Sequence, residues 1–170
     1  MDLYRSANFD KLTDIPNRSL FLDRLDQNLK QSERYKRKFA LLFIDLDGFK
    51  SVNDTLGHDA GDELLIRTAK RLQECVRDAD TVARIGGDEF TVILSTITSV
   101  DDVQSVAQKI IRALATPFKM GNEEAQIRAS IGISVFPENG TDAETLLKKA
   151  DDAMYLAKKG GKNDFRMSPD

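Results

Sequence analysis

Phe39-Ala40-Leu41-Leu42-Phe43-Ile44 is an apolar run without a polar break, and Asp45 and Asp47 stand at its end. A strand with one face in water alternates apolar and polar residues, whereas a strand covered on both faces does not. The run therefore predicts a central strand of a sheet packed by helices on either side. An aspartate directly after such a strand is unusual, and it puts charge at the end of an apolar layer.

Covering helices are readable elsewhere in the chain. Pro16 is expected as the first residue of a helix, with Thr13 and Asp14 as capping candidates. Leu20, Phe21, Leu25 and Leu29 form its apolar stripe, and the basic run 34–38 suits its C-terminus. Phe49, Val52 and Leu56 predict a short helix closed by Gly57, and residues 62–76 a longer one. Val103, Ala107, Ile110, Ile111 and Leu114 mark another, and 142–159 the last, with Gly160 as its C-cap. Residues 81–85 and 90–94 read as strands about a Gly86-Gly87 turn. Residues 118–120 and 125–135 read as a second hairpin about Gly121-Asn122. The expected fold is α/β of the α+β kind: one mixed, largely antiparallel sheet of about five strands flanked by helices. Residues 1–170 are expected to be a single domain cut from a longer multidomain chain.

With 41% hydrophobic and 31% charged residues the chain is composed like a folded domain. Its net charge of -3 lacks the basic excess of a nucleic-acid binder, so no nucleic acid partner is expected. A small anionic ligand remains open, because a local lysine cluster does not set the global charge. No run approaches the roughly 20 apolar residues that span a bilayer. Asp2, Arg5, Asn8, Asp10 and Lys11 interrupt any apolar leader. A cytoplasmic domain without membrane contact is the expectation. Cys75, the single cysteine, excludes an internal disulfide or a cysteine-based metal site and reads as a small core residue.

The chemistry concentrates at strand ends. If the Gly86-Gly87 hairpin lies beside the 39–44 strand, Asp88 and Glu89 converge on Asp45. Carboxylates so placed raise each other's pKa, and a divalent cation that prefers oxygen relieves the repulsion. Apart from His58 no histidine or cysteine is near in sequence, which argues against zinc. The other reading is a helix cap at Asp45 and Asp47 and a plain turn at Asp88-Glu89. Residues 45–50 pass from strand through turn to helix start, where backbone N–H groups attract phosphate. Gly48 clears room for a ligand, and Lys50 adds charge. Lys158, Lys159 and Lys162 around Gly160-Gly161 form a second cationic group, or else a solvated helix end. Asn53 and Asp62 carry the hydrogen-bonding pattern that guanine needs and adenine lacks, or are a helix-surface amide and a first-turn acid.

Gly86-Gly87-Asp88-Glu89-Phe90 is the GGDEF signature as it stands. Around it, 45–54 resembles the D-x-D-x-F-K-x-x-N-D segment of the GGDEF domain family, and 57–62 its G-H-x-x-G-D segment. Residues 10–18 resemble the opening D-x-L-T-x-L-P-N-R motif, with Ile15 in place of leucine. Ala150-Asp151, Met154-Tyr155, Ala157-Lys158 and Gly161-Lys162-Asn163 resemble the C-terminal helix motif. The resemblance runs from about Asp10 to Asn163.

That resemblance implies a palm-like nucleotidyl-cyclase fold and a diguanylate cyclase that condenses two GTP into cyclic di-GMP, one GTP on each domain of a two-fold homodimer. It implies Mg²⁺ or Mn²⁺ at Asp45, Asp88 and the Leu46 backbone carbonyl, with Glu89 assisting the metal site or the 3′-hydroxyl. Asn53 and Asp62 are implied guanine readers; Gly48, Phe49, Lys50, Lys158 and Lys162 are implied phosphate contacts. His58 is given a packing or capping role. Arg77-Asp78-Ala79-Asp80 fits the family's R-x-x-D site for product feedback, with Arg77 and Asp80 as the binding pair; the other reading is a charged helix end. In the parent chain a sensor, and an EAL-type phosphodiesterase, are implied neighbours. The isolated domain is expected to be mainly monomeric and slow. Two further readings stay open: a domain that binds GTP or cyclic di-GMP to regulate an attached EAL domain, and a cyclase acting on another nucleotide.

Overall fold

The computed structural model describes residues 2–169. Its elements run α1 (Leu3–Asn8), α2 (Arg18–Tyr35), β1 (Lys38–Asp47), α3 (Phe49–Leu56), α4 (His58–Glu74), β2 (Thr81–Gly86), β3 (Glu89–Ile97), α5 (Val100–Ala115), β4 (Phe118–Met120), β5 (Glu123–Ala125), β6 (Arg128–Phe136), α6 (Ala143–Lys159) and β7 (Asp164–Met167). Five strands form one sheet in the order β2-β3-β1-β6-β7, so β1 is central. Its pairings are antiparallel except for β6 with β7, which makes the sheet mixed, as expected.

The unbroken apolar run is explained by β1's two faces. Ala40, Leu42, Ile44 and Leu46 enter a core shared with Leu64, Leu72, Ile110 and Leu114 of α4 and α5. Phe39 and Leu41 point the other way, against Phe21, Leu25 and Leu29 of α2 and Leu146 and Ala150 of α6. Asp45 and Asp47 continue this second stripe by the two-residue period, so both acids fall on the α6 side of the sheet.

The approach of α6 to the sheet is set by Gly132 on β6. A Cβ there would lie 1.9 Å from the Ala150 carbonyl oxygen and 2.2 Å from the Met154 nitrogen. Only a residue without a side chain lets the helix backbone rest directly on the strand. Ser134 Oγ donates to the Leu146 carbonyl at 2.8 Å and fixes the helix start.

Several boundaries differ from expectation. The first long helix begins at Arg18, not Pro16; Asn17 is the cap, its side chain accepting from the Leu20 N–H at 3.1 Å. Asparagine supplies the acceptor that proline cannot. Pro16 instead bridges Phe9, and Thr13 binds Asp10. α4 starts at His58, so Asp62 is not a first-turn acid. The second hairpin is shorter than expected: β4 pairs with β5 in a separate two-stranded sheet, and β6 begins at Arg128 in the main one. Apolar patterning continues through 125–135, so it carries no mark of the change of partner. β7 and α1, both short, were not anticipated.

Candidate active site

The register of three strands assembles the acids. Asp45 lies opposite Glu89 on β3 and opposite Ser130 on β6. The Leu46 N–H donates to the Asp88 carbonyl at 3.2 Å. Since the N–H and C=O of a strand residue point the same way, the Leu46 carbonyl also faces the hairpin tip. The Asp45 and Asp88 carboxyls are neighbours; burial, then the charge of Asp45, raises Asp88 above the ordinary carboxylate range. Glu89 is raised by burial and by Asp45, Asp151 and Asp88. Asp151 of α6 is raised by burial, by Asp152 and by Asp45. Asp151 was known from the sequence only as part of a motif; the packing of α6 brings its charge to the site.

Lys158, two helical turns beyond Asp151, reaches the same point. Its ammonium binds Asp45 Oδ2 and stands 3.7 Å from Asp47 Oδ1. Burial opposes the charged form, but the bond to Asp45 and the charges of Asp45, Asp47 and Asp88 outweigh it, and the pKa is raised. Asp47 Oδ2 accepts from the buried Ser130 hydroxyl at 2.7 Å.

The turn that carries Asp88 is pinned from behind. Arg84 Nε donates to the Gly87 carbonyl at 2.9 Å, and Arg84 Nη1 lies 3.1 and 3.2 Å from the two oxygens of Asp10. Asp10 in turn accepts from the Thr13 N–H and hydroxyl. Sequence reading missed this link; its signal is a charge inside the apolar strand Val82-Ala83-Arg84-Ile85, which implies a buried partner.

The start of α3, expected to contact phosphate, lies next to the acids. Gly48 caps α3 with φ 91, a left-handed conformation that favours glycine. Beyond it Phe49 is half-buried and Lys50 exposed, at a helix start that follows Asp47 directly. Asn53 is seated against α4 at Gly61, the residue before the exposed Asp62: a Cβ on Gly61 would lie 1.7 Å from Asn53 Oδ1. The glycine before Asp62 is therefore what makes room for the amide. Lys162 is exposed in a turn where Gly161, Lys162 and Asn163 all have positive φ. His58 is exposed at the first position of α4, whose Gly57 cap makes no side-chain bond, so the expected packing or capping role is not seen.

Arg77 and Asp80 share a turn beside a cavity of about 370 Å³ between the end of α4, β3 and α5. Asp80 is turned inward, its side chain 1% exposed, accepting from the Arg77 N–H and from Ser95. Arg77 is exposed and donates to the Thr96 carbonyl at 2.7 Å. Cys75 is buried on the cavity wall, as expected of a core residue, and burial raises its thiol pKa.

Among the described residues no group of three or more His, Cys, Asp or Glu side chains is arranged to hold a metal. The donor set suits a hard divalent cation all the same. Mg²⁺ takes one or two carboxylates and completes its shell with phosphate oxygens and water, and Asp45, Asp88 and the Leu46 carbonyl supply that much.

A five-stranded mixed sheet flanked by helices, with carboxylates at the end of its central strand, defines a class: proteins of the nucleotidyl-cyclase fold. Residues 7–164 match the family described as "Diguanylate cyclase, GGDEF domain", and the chain belongs to the GGDEF domain family. It is 45% identical over 164 residues to the bifunctional diguanylate cyclase/cyclic di-GMP phosphodiesterase MucR of Pseudomonas aeruginosa, covering 96% of this chain and 24% of MucR. Its fold matches the GGDEF domain of TpbB from Pseudomonas aeruginosa with a TM-score of 0.91 and 38% identity over 94% of each chain. The GGDEF domain of DgcB from Caulobacter crescentus, solved in complex with c-di-GMP, matches with a TM-score of 0.88 and 28% identity over 99% of this chain and 100% of that one. The chain thus spans about a quarter of MucR's length. Among the described residues no helix is long and apolar enough to cross a membrane.

Proposed function

We propose that this domain is a diguanylate cyclase: two GTP molecules, one on each of two facing domains, are joined into cyclic di-GMP with loss of two pyrophosphates. The observation that carries the reading is the convergence of Asp45, at the end of β1, with Asp88 and Glu89 of the β2–β3 hairpin, set by the strand register beside the α3 start. Asp45, Asp88 and the Leu46 carbonyl would hold Mg²⁺ or Mn²⁺, which when bound supplies charge stabilisation at the phosphates. The remaining work belongs to the protein. The backbone at Gly48 and Phe49, with Lys50, Lys158 and Lys162, binds the triphosphate, while Asn53 and Asp62 face the guanine edge. Glu89, with its proton affinity raised by its neighbours, is placed to take the proton of the attacking 3′-hydroxyl. Attack on the α-phosphate of the facing GTP then expels pyrophosphate. Most of the acceleration comes from positioning and electrostatics.

Product returning to Arg77 is the proposed feedback, with guanine O6 and N7 gripped by the exposed guanidinium. Asp80 must then leave its bonds to Ser95 and Arg77 or act only to shape the turn. A second reading, a GTP- or cyclic di-GMP-binding regulator of an attached phosphodiesterase, draws on the bifunctional relative MucR. Incubation with GTP and Mg²⁺ at high protein concentration, with products identified by mass, separates the two. Cyclic di-GMP is expected, and Asp88→Ala should lower turnover by at least about 100-fold. GTP binding without product, in a domain fused to a dimeric coiled coil, would select the regulator.

A further inference from the structure

Asp47 has no part in the reaction just described, yet its surroundings are built with care for one oxygen. Its side chain is 5% exposed. Oδ2 is held by the Ser130 hydroxyl at 2.7 Å, from a serine with no exposed surface. Oδ1 is buried and without a hydrogen-bond donor. An acceptor in that state is costly, and the group it faces is the Lys158 ammonium at 3.7 Å, just outside bonding distance while the lysine is engaged by Asp45.

We propose that Asp47, fixed by Ser130, is a positioning residue for Lys158 that keeps the ammonium at the mouth of the site once Asp45 turns to a divalent cation. This rests on the nucleotide site proposed above. An ammonium and a divalent cation repel, so they cannot both be held closely by one carboxylate. A lysine released from Asp45 would range over its flexible four-carbon stem unless a second anion were in reach. Asp47 Oδ1 is that anion, and closing to bonding distance requires a shift of roughly 1 Å. The Ser130 bond stops the carboxylate from rotating away. An ammonium has three donors, so one spent on Asp47 leaves two for phosphate oxygens.

The test is a double-mutant cycle on binding of 3′-deoxy-GTP, which lacks the attacking hydroxyl, in the presence of Mg²⁺. Asp47→Asn keeps the shape and removes the charge. It should weaken binding roughly tenfold in the native background and less than about twofold in Lys158→Met. An equal loss in both backgrounds, or no loss in the native one, overturns the proposal. If Asp47→Asn does not fold, Ser130→Ala takes its place, with a smaller loss that again disappears in Lys158→Met; an equal loss in both backgrounds counts against the proposal. A second readout needs no nucleotide. In ¹⁵N-lysine-labelled protein the Lys158 ammonium signal should survive addition of Mg²⁺ alone, and should vanish on that addition in Asp47→Asn. Survival in both proteins, or loss in both, refutes the socket. A native domain that binds no 3′-deoxy-GTP but shows the expected Lys158 behaviour would sink the nucleotide reading and support the socket.

Discussion

Asp45, Asp88 and Glu89 show how a residue's neighbours set its chemistry. Burial and like charge raise Asp88 and Glu89, so the folded state binds protons there more tightly than the unfolded chain. Their contribution to stability therefore falls as pH rises through and above the ordinary carboxylate range, and at neutral pH the charges on these two acids oppose folding. Asp88→Asn should accordingly raise Tm by about 1–3 °C at pH 7 in EDTA, a small effect because water screens a half-buried group. The gain should fade as the pH drops below that range, where Asp88 is protonated in both states. A lower Tm at pH 7, by differential scanning calorimetry, would count against the repulsion. The sequence located these acids by type and spacing. The family resemblance implied Lys158 as a phosphate contact, but not that its ammonium would bind Asp45 itself, because residues 113 positions apart meet only through packing.

At the scale of elements, two contacts hold the site's parts together. The first is α6 on β6. Gly132→Ala would drive a Cβ into the Ala150 carbonyl and the Met154 nitrogen, both backbone atoms that cannot swing aside. A loss of about 3 kcal/mol or more is expected in urea unfolding, and any folded remainder should bind GTP more weakly because Lys158 and Asp151 shift with the helix. The second is the link from the 10–16 segment through Arg84 to the Gly87 carbonyl. Burial acts to raise Asp10, but the Thr13 bonds and the Arg84 charge outweigh it, and its pKa is lowered. A lowered pKa means stabilisation present above the ordinary carboxylate range and lost as pH falls through the folded value. Asp10→Asn should cost about 1–2 kcal/mol at pH 7 and little under acid conditions, by urea melts at both. The helix stripes were legible because apolar side chains repeat with the helical period. The split between β5 and β6 was not, because apolar patterning reports burial and says nothing of which strand is the partner.

On the scale of the whole molecule, one domain holds half of the proposed reactants. Specific activity should then rise with protein concentration, and fusion to a dimeric coiled coil should raise it at low concentration. Turnover per domain that stays constant under dilution, with sedimentation showing a monomer, would remove the two-fold mechanism. Leu3 and Tyr4 on α1 are 83% and 60% exposed, an apolar surface on which such a fusion can be made without disturbing the core.

The order of residues by itself determined the central strand, the helices that cover it, the Gly-Gly turn with its acids and the family to which they belong. Each of these is written in local terms: a period, a cap, a run of residue types. Only the tertiary structure decided that Lys158 of α6 binds Asp45, that the charge of Asp151 acts on Glu89, that Asp80 faces inward, and that Arg84 ties the turn to Asp10. Those contacts depend on strand register and on how closely a helix can approach a sheet. Both are settled by the packing of distant segments, to which no local pattern refers.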